Sequence, residues 1–195
     1  MAIEITKEHI QKARTYLQIG AKIRLAEQIA GWCVQPVEVM EQTEIPTPPL
    51  YKENRAIKNL LLLGILARYY LNIEFEYQSV RLMENGIQVG EQPIDYYPTM
   101  EAYDELASSN IINQLERLKK SDKENSNTIF DLMYDFKLFE QMVNYEIKDY
   151  VAQKNDLLLR TVKTVETIMS EESLNKMSEN LKELQKEIEN IKGKE

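Results

Sequence analysis

The sequence predicts a mainly α protein: a multi-helix domain around a central apolar helix, a small β-hairpin insertion and a helical, coiled-coil-like C-terminal extension. Residues 60–67 read LLLLGILA, which is too continuously apolar for a helix with one solvated face. Only 6 Gly and 6 Pro occur in 195 residues, which favours long regular elements. Apolar residues between 128 and 153 recur at steps of three and four, which is the helical period.

The apolar run belongs to a predicted central helix that begins near Asn54. A helix that is apolar nearly all round has to be covered on most sides, so the other helices are expected to pack on it and to bury Leu61 and Leu62. Lys58 and Arg68 bracket only nine residues. Because a transmembrane helix needs about 20 predominantly apolar residues, the run predicts a core helix and no membrane span.

Two helices are predicted before the central one. Thr6 can cap a helix over residues 7–17, and Gly20 marks a break or restart before a second helix over residues 21–33. The expected apolar faces contain Ile10, Ala13 and Leu17 in the first helix, and Ile23, Ala26, Ile29, Ala30 and Cys33 in the second. Four prolines between residues 34 and 50 predict a loop, with an extended TPPLY run at its end.

After the central helix the apolar period changes to two, which predicts a strand over residues 73–78. An Asn-Gly dipeptide at 85–86 then predicts a hairpin, because both residues tolerate the positive φ of a type I′ turn. The pairs that follow from this turn are Glu84 with Ile87 and Leu82 with Val89. The chain is expected to return to a loop over residues 93–98, which begins and ends with proline.

Helices are predicted again from Thr99, which can cap a helix that a Ser-Ser-Asn interruption splits, with Ser109 or Asn110 as the second cap. A polar break precedes the clearest amphipathic helix, residues 128–153, and a further helical segment covers residues 156–169. The stripe of the amphipathic helix contains Ile129, Leu132, Phe136, Phe139, Val143, Ile147 and Tyr150, and Phe130 and Met133 widen it.

A narrow apolar seam begins at residue 174. Its members alternate steps of three and four among polar residues, as the a and d positions of a coiled coil do. A stripe this narrow predicts either pairing with another helix, which favours a homo-oligomer, or a segment that lies across the domain. The predicted oligomerisation residues are Leu174, Met177, Leu181, Leu184, Ile188 and Ile191. The predicted domains are residues 1–155, with the hairpin inserted near 73–92, and residues 156–195.

The sequence contains none of the common signatures of phosphate binding or zinc catalysis, such as GxGxxG, GxxxxGKS/T or HExxH. His9 is the single histidine and Cys33 the single cysteine, so a structural His9 and a buried, unreactive Cys33 are expected. No enzyme activity, cofactor or metal is predicted. The N-terminus has no apolar signal core, so nothing in it suggests export.

Acidic residues are concentrated between residues 71 and 110, where eight carboxylates face one base, Arg81, in a chain of net charge −8. Tyrosines are interleaved with them. One interpretation is an ordinary solvated surface; the other is a docking surface for a basic partner, because charge steers association and aromatic rings supply contact area. The predicted partner-binding residues are Glu74, Glu76, Asp95, Tyr96, Tyr97, Glu101, Asp104 and Glu105. The acidity argues against direct binding to nucleic acid, which requires a basic footprint.

Four segments in order, PTPPLYKEN, a Leu-rich helix ending in RYYLN, SSNIINQLERLK and FDLMYDFKLFEQ, resemble small uncharacterised helical proteins encoded in phages and prophages of Firmicutes. The resemblance covers residues 20–150 and supplies no site residues. It implies a phage context, in the cytoplasm of the host bacterium or in the virion. The function expected from it is a non-enzymatic interaction protein, a structural or assembly component of the virion. The alternative is an inhibitor of a host nucleic-acid-binding defence protein that acts through the acidic, tyrosine-bearing surface.

Overall fold

The computed structural model describes residues 3–37, 50–84, 87–168 and 175, without the side chains of residues 80–89 and 166–168. It confirms a mainly helical fold with small two-stranded sheets. The elements in chain order are α1 Lys7–Gln11, α2 Ile19–Cys33, β1 Val34–Val37, β2 Leu50–Glu53, α3 Arg55–Ile65, a π-helical turn Leu66–Tyr70, β3 Tyr77–Glu84, β4 Ile87–Pro98, α4 Met100–Ser108, α5 Ile111–Ser121 and α6 Ser126–Ile168.

The chain forms two compact units. The first contains Met1–Gln35 and Lys52–Val151, and the second contains Pro36–Tyr51 and Ala152–Glu195. Within the second unit the Asn155 side chain holds the backbone of Tyr51, since its Oδ1 accepts from the Tyr51 N–H at 2.9 Å and its Nδ2 donates to the Tyr51 carbonyl at 3.1 Å. The domain boundary after residue 155 stays a prediction.

The central helix is α3, and it begins where the sequence predicts. The Asn54 side chain accepts hydrogen bonds from the Ala56 and Ile57 N–H groups at 3.1 and 3.2 Å, which caps the first turn. Leu61 and Leu62 are 0% and 6% exposed, so the core face is confirmed.

The helix then widens into the π-helical turn, in which the Leu71 N–H donates to the Leu66 carbonyl at 3.1 Å. Asn72 follows with a φ of 53°, and the Ile73 N–H folds back to the Ala67 carbonyl at 2.8 Å. These backbone bonds turn the chain out of the helix. The strand predicted from residue 73 therefore begins later, at Tyr77.

Strands β3 and β4 form the predicted hairpin with a different register. Glu84 pairs with Ile87 as expected, but a bulge pairs Leu82 with Gly90 instead of Val89. The loop expected over residues 93–98 is wrong, because β4 continues to Pro98. Two-stranded ribbons leave one side of each strand unpaired, so proline fits there without breaking a ladder bond. The Asn-Gly turn lies outside the described residues.

The N-terminal helices differ from the prediction in length and in facing. Helix α1 has its Thr6 cap but ends at Gln11, and three residues later the Arg14 N–H donates to the Tyr70 carbonyl at 2.8 Å. In α2, Ile23 is 43% exposed and Leu25 is buried instead, which corrects the predicted stripe.

The C-terminal half of the first unit follows the predicted breaks. Thr99 caps α4, and Asn110, at φ 49°, separates α4 from α5. The α6 stripe is buried at Ile129, Leu132, Phe139, Val143 and Ile147. Phe130 is 51% exposed, so it does not widen the buried stripe as expected. The segment predicted from residue 156 continues α6 as far as Ile168.

Candidate partner-binding surface

The predicted acidic residues come from three segments of the first unit: the stretch before β3, strand β4 and helix α4. All of them except Asp95 are exposed, and Asp95 is half-buried. We call the set of six carboxylates the acidic surface; its members are Glu74, Glu76, Asp95, Glu101, Asp104 and Glu105.

Arg68 links two of these segments. Its guanidinium lies 3.6 Å from a Glu74 carboxylate oxygen and 3.9 Å from Asp95 Oδ2. The neighbouring Tyr69 hydroxyl donates to Asp95 Oδ1 at 3.0 Å. Ion pairs of this kind contribute little stability, about 0–1 kcal/mol, because the carboxylates stay largely solvated.

A backbone bond joins the third segment. The Thr99 N–H at the start of α4 donates to the Glu76 carbonyl at 3.0 Å, and Tyr77 pairs with Pro98 in the ladder. Glu76 is therefore held beside the first turn of α4, which carries Glu101. Backbone segments that carry these carboxylates and are distant in sequence thus meet around the junction of β4 with α4.

The two tyrosines of the predicted site do not present free rings. Tyr96 is 6% exposed, its hydroxyl donates to Gln28 Oε1 at 2.9 Å, and its ring packs against Tyr69 with centroids 6.3 Å apart. Tyr97 is half-buried and meets Trp32 edge to face at 6.0 Å. The Tyr96 ring is therefore turned into the fold by β4, and the partner-binding role of these tyrosines stays a prediction.

Burial also changes the acidity of these rings. Loss of hydration, reinforced by the hydrogen bond to Asp95, raises the pKa of Tyr69 to about 12. Loss of hydration and the charge of Asp95 raise the pKa of Tyr96 to about 12. Both hydroxyls are therefore protonated at neutral pH and act as hydrogen-bond donors.

A groove of about 630 Å³ lies beside the acidic surface, between α2, the π-helical turn and β4. Ligand pockets typically occupy about 300–1,000 Å³. Its lining residues include Arg24, Gln28 and Trp32 from α2, Tyr69 from the π-helical turn, and Pro93, Asp95 and Tyr96 from β4. We call it the aromatic groove. Asp95 belongs both to the groove and to the acidic surface.

Gly64 sets the position of β4 against the central helix. A Cβ at this residue would lie 2.1 Å from the Tyr96 carbonyl oxygen and 2.9 Å from Pro98 Cδ. Only glycine allows so close an approach of strand and helix. The absence of a side chain at Gly64 thus places the strand that carries Asp95 and Tyr96.

Arg68, Tyr69, Trp32 and Gly64 were not among the residues predicted from sequence. A π-helical turn brings Arg68 and Tyr69 to Asp95 while Tyr70 stays buried, and no spacing in the sequence indicates such a turn. The sequence signal that could have pointed to this region is the YYL end of the apolar run, where aromatic residues replace leucines.

His9 and Cys33, the single histidine and the single cysteine, both have structural roles in the fold. His9 Nδ1 accepts from the Thr6 N–H at 3.1 Å and completes a capping box. Cys33 is fully buried, and burial raises the pKa of its thiol to about 12, so the nucleophilic thiolate is scarce at neutral pH. In the described part of the chain, no three His, Cys, Asp or Glu side chains are grouped so that they could hold a metal ion.

The six predicted oligomerisation residues, Leu174, Met177, Leu181, Leu184, Ile188 and Ile191, lie outside the described residues. None of the helices within the described ranges combines the length and apolar character of a membrane-crossing segment.

No family model, curated protein or solved structure matches this chain.

Proposed function

We propose that this chain is a non-enzymatic interaction protein that binds a basic protein segment through the acidic surface. The observation that carries the proposal is the convergence around the junction of β4 and α4. The Arg68 guanidinium lies 3.6 Å from a Glu74 oxygen and 3.9 Å from Asp95 Oδ2, and the backbone bond from Thr99 to Glu76 places the start of α4 beside the segment that carries Glu74. The segments that meet here carry the six carboxylates of the acidic surface against one arginine, Arg68, and this local excess of negative charge steers a cationic partner toward this face.

The partner expected in the leading version is another protein of the virion. This context follows from the resemblance to phage and prophage proteins, and the protein then acts as a structural or assembly component in the host cytoplasm or in the particle. The coiled-coil-like seam of the C-terminal extension supports self-association as a second interaction. Neither role requires a cofactor, direct nucleic-acid binding or a membrane.

The alternative function is inhibition of a host defence protein that binds nucleic acid. Proteins of that class carry a basic surface that neutralises phosphates. The exposed carboxylates of α4, Glu101, Asp104 and Glu105, favour this alternative because they present repeated negative charge at a helix surface, as a phosphate backbone does.

The direct test is affinity capture from phage-infected host cells with two matched baits. The first bait carries Glu101→Lys, Asp104→Lys and Glu105→Lys. The control bait carries Glu116→Lys, Glu124→Lys and Asp131→Lys, which are exposed on α5, in the turn before α6 and on α6, and change the net charge equally. The partner should be captured by the wild-type and control baits and lost from the first bait.

Equal capture by both variant baits would contradict the acidic surface as the binding site. The identity of the captured protein separates the two functions. A virion protein, together with loss of particles when the first variant replaces the wild type, supports the assembly role. A host nucleic-acid-binding protein whose activity falls on binding, with particle formation intact, supports the inhibitor.

A further inference from the structure

We propose that the aromatic groove receives a single arginine side chain from the basic partner. The inference rests on the proposed function and adds the position and chemistry of one contact. Asp95 supplies the link, because its carboxylate lies in the groove lining and in the acidic surface at once. A cation drawn toward the acidic surface therefore meets the groove at Asp95.

Asp95 retains the capacity to accept further hydrogen bonds. Its Oδ1 accepts the Tyr69 hydroxyl at 3.0 Å, and its Oδ2 lies 3.9 Å from Arg68 Nε, which is beyond hydrogen-bond distance. An ionised carboxylate has about four lone-pair positions. An arriving guanidinium can therefore donate to Oδ2 without displacing Tyr69.

The groove walls favour a planar cation over a compact one. Trp32 and Tyr69 line it and are half-buried, whereas the Tyr96 ring is 6% exposed and packs against Tyr69. A guanidinium stacks on aromatic faces and is more weakly hydrated than an ammonium, so it loses less on entering such a groove. The same walls offer lysine a cation–π contact without the stacking.

Two cations of the protein limit how much positive charge the groove accepts. Arg68 divides its charge between Glu74 and Asp95, and Arg24 lies exposed on the α2 wall. These two guanidiniums repel further cations at short range. The groove is thus suited to one inserted side chain, while additional basic residues of the partner face the carboxylates of α4.

Trp32 provides a direct readout, because it is the single tryptophan of the chain and lines the groove. The full-length protein is titrated with an unlabelled glycine–serine peptide that carries three spaced arginines, while Trp32 emission is recorded. Matched peptides carry lysine or citrulline at the same positions. Citrulline keeps the shape of arginine and removes its charge. Titration calorimetry on the same samples measures total binding.

The arginine peptide should change Trp32 emission with saturation, the lysine peptide should bind more weakly, and the citrulline peptide should give no change. Asp95→Asn should weaken the arginine response about tenfold, because the guanidinium then meets a neutral amide in place of a carboxylate, and hydrogen bonds between charged groups are the stronger ones. Asp104→Asn is the matched control, since it removes an equal charge from α4, and should weaken the response less than threefold. Circular dichroism of both variants confirms that they are folded.

Three results would overturn the arginine contact. These are an equal response to the citrulline peptide, equal effects of the two variants, and calorimetric binding without any change in Trp32 emission. The last result places the peptide on α4 alone, so the groove inference fails while the proposed function stands. The proposed function is tested separately, by the capture experiment with the two matched baits, so its failure can be distinguished from failure of the groove inference.

Discussion

Asp135 is a carboxylate inside the core of the first unit. It accepts hydrogen bonds from Lys22 Nζ, from the Tyr70 hydroxyl at 2.8 Å and from the Leu17 N–H at 3.1 Å. Both Lys22 and Asp135 are buried. Removing one partner of a buried ion pair leaves an uncompensated charge, so Asp135→Ala should lower the free energy of unfolding by about 3–5 kcal/mol in urea titrations.

The exposed Asp131, one turn earlier on α6, is the control, and Asp131→Ala should change stability by about 0.5 kcal/mol or less. The double variant Lys22→Met with Asp135→Leu should recover most of the loss, because buried pairs are often replaced by apolar side chains at no cost. A double variant as unstable as Asp135→Ala would mean that the contacts to Tyr70 and Leu17 dominate.

The buried tyrosines predict how stability depends on alkaline pH. The pKa values of Tyr69 and Tyr96 are raised to about 12 in the folded protein, against about 10 for an unperturbed tyrosine. Their contribution to stability is therefore fully present below pH 10 and is lost as the pH rises towards 12, because the unfolded chain releases these protons first.

The free energy of unfolding, measured in urea at several pH values, should fall across that window. The slope should be smaller in Tyr69→Phe, which lacks the titrating hydroxyl. Tyr145→Phe is the control, since Tyr145 is 69% exposed, and it should leave the slope unchanged. A slope that is identical in all three proteins would show that the Tyr69 hydroxyl does not contribute to the alkaline loss.

At the scale of elements, the starts of helices were predictable and several ends were not. Thr6, Asn54 and Thr99 cap their helices through residues two or three positions away, so local sequence is sufficient. Helix α1 ends at Gln11, and three residues later Arg14 bonds to Tyr70, a partner that is distant in sequence. Local periodicity contains no information about such a partner.

The candidate site also has features that the local sequence predicts and features that depend on distant contacts. Its carboxylates were found from composition, because charge is visible in the sequence. The contact of Arg68 with Glu74 and Asp95 depends on a π-helical turn, and the burial of Tyr96 depends on the close approach of β4 to Gly64. Both are consequences of tertiary packing. The sequence therefore identified the acidic surface, and it identified neither the groove nor the direction of the Tyr96 ring.

The contact between α3 and β4 gives a prediction at this scale. Gly64→Ala places a methyl group 2.1 Å from the Tyr96 carbonyl oxygen, so strand and helix have to separate. Overpacking of this kind costs about 1–3 kcal/mol, and the displaced strand should also alter Trp32 emission. Gly31→Ala is the matched control in α2, because nothing lies within 4 Å of its added Cβ.

The control substitution should stabilise the protein by about 1 kcal/mol, the difference in helix propensity between alanine and glycine. The midpoints of thermal and urea unfolding should therefore shift in opposite directions in the two variants, relative to the wild type. Stabilisation by Gly64→Ala would show that β4 is not held against the helix in solution.

The apolar seam of the C-terminal extension gives a further prediction, which concerns oligomerisation. If the seam from Leu174 to Ile191 pairs between chains, Leu181→Glu puts a charge into that seam and should lower the oligomeric state while the N-terminal helices stay folded. Light scattering measures the mass, and circular dichroism the fold. An unchanged mass would favour packing within one chain, and a monomeric wild type would remove the pairing hypothesis.

At the scale of the whole molecule, the excess of acidic residues is expected to act on the rate of association. The net charge is −8, and the carboxylates of α4 are exposed. Exposed charges are screened beyond a Debye length of about 8 Å at physiological ionic strength. The encounter with a basic partner should therefore slow as salt rises, whereas packing contacts that form after the encounter are less sensitive to salt.

The triple variant Glu101→Lys, Asp104→Lys and Glu105→Lys should lower the association rate constant for the captured partner about tenfold at low salt, because repulsion replaces steering. Its free energy of unfolding should stay close to that of the wild type, since all three side chains are solvated. Surface plasmon resonance at two salt concentrations measures both rates.

The control triple variant at Glu116, Glu124 and Asp131 changes the net charge equally. If the steering is local to α4, this control should associate with the partner several-fold faster than the α4 triple variant does. Equal slowing in the two triple variants would show that net charge, and not the α4 carboxylates, sets the association rate. Binding that is independent of salt in every variant would show that these carboxylates form an ordinary solvated surface with no docking role.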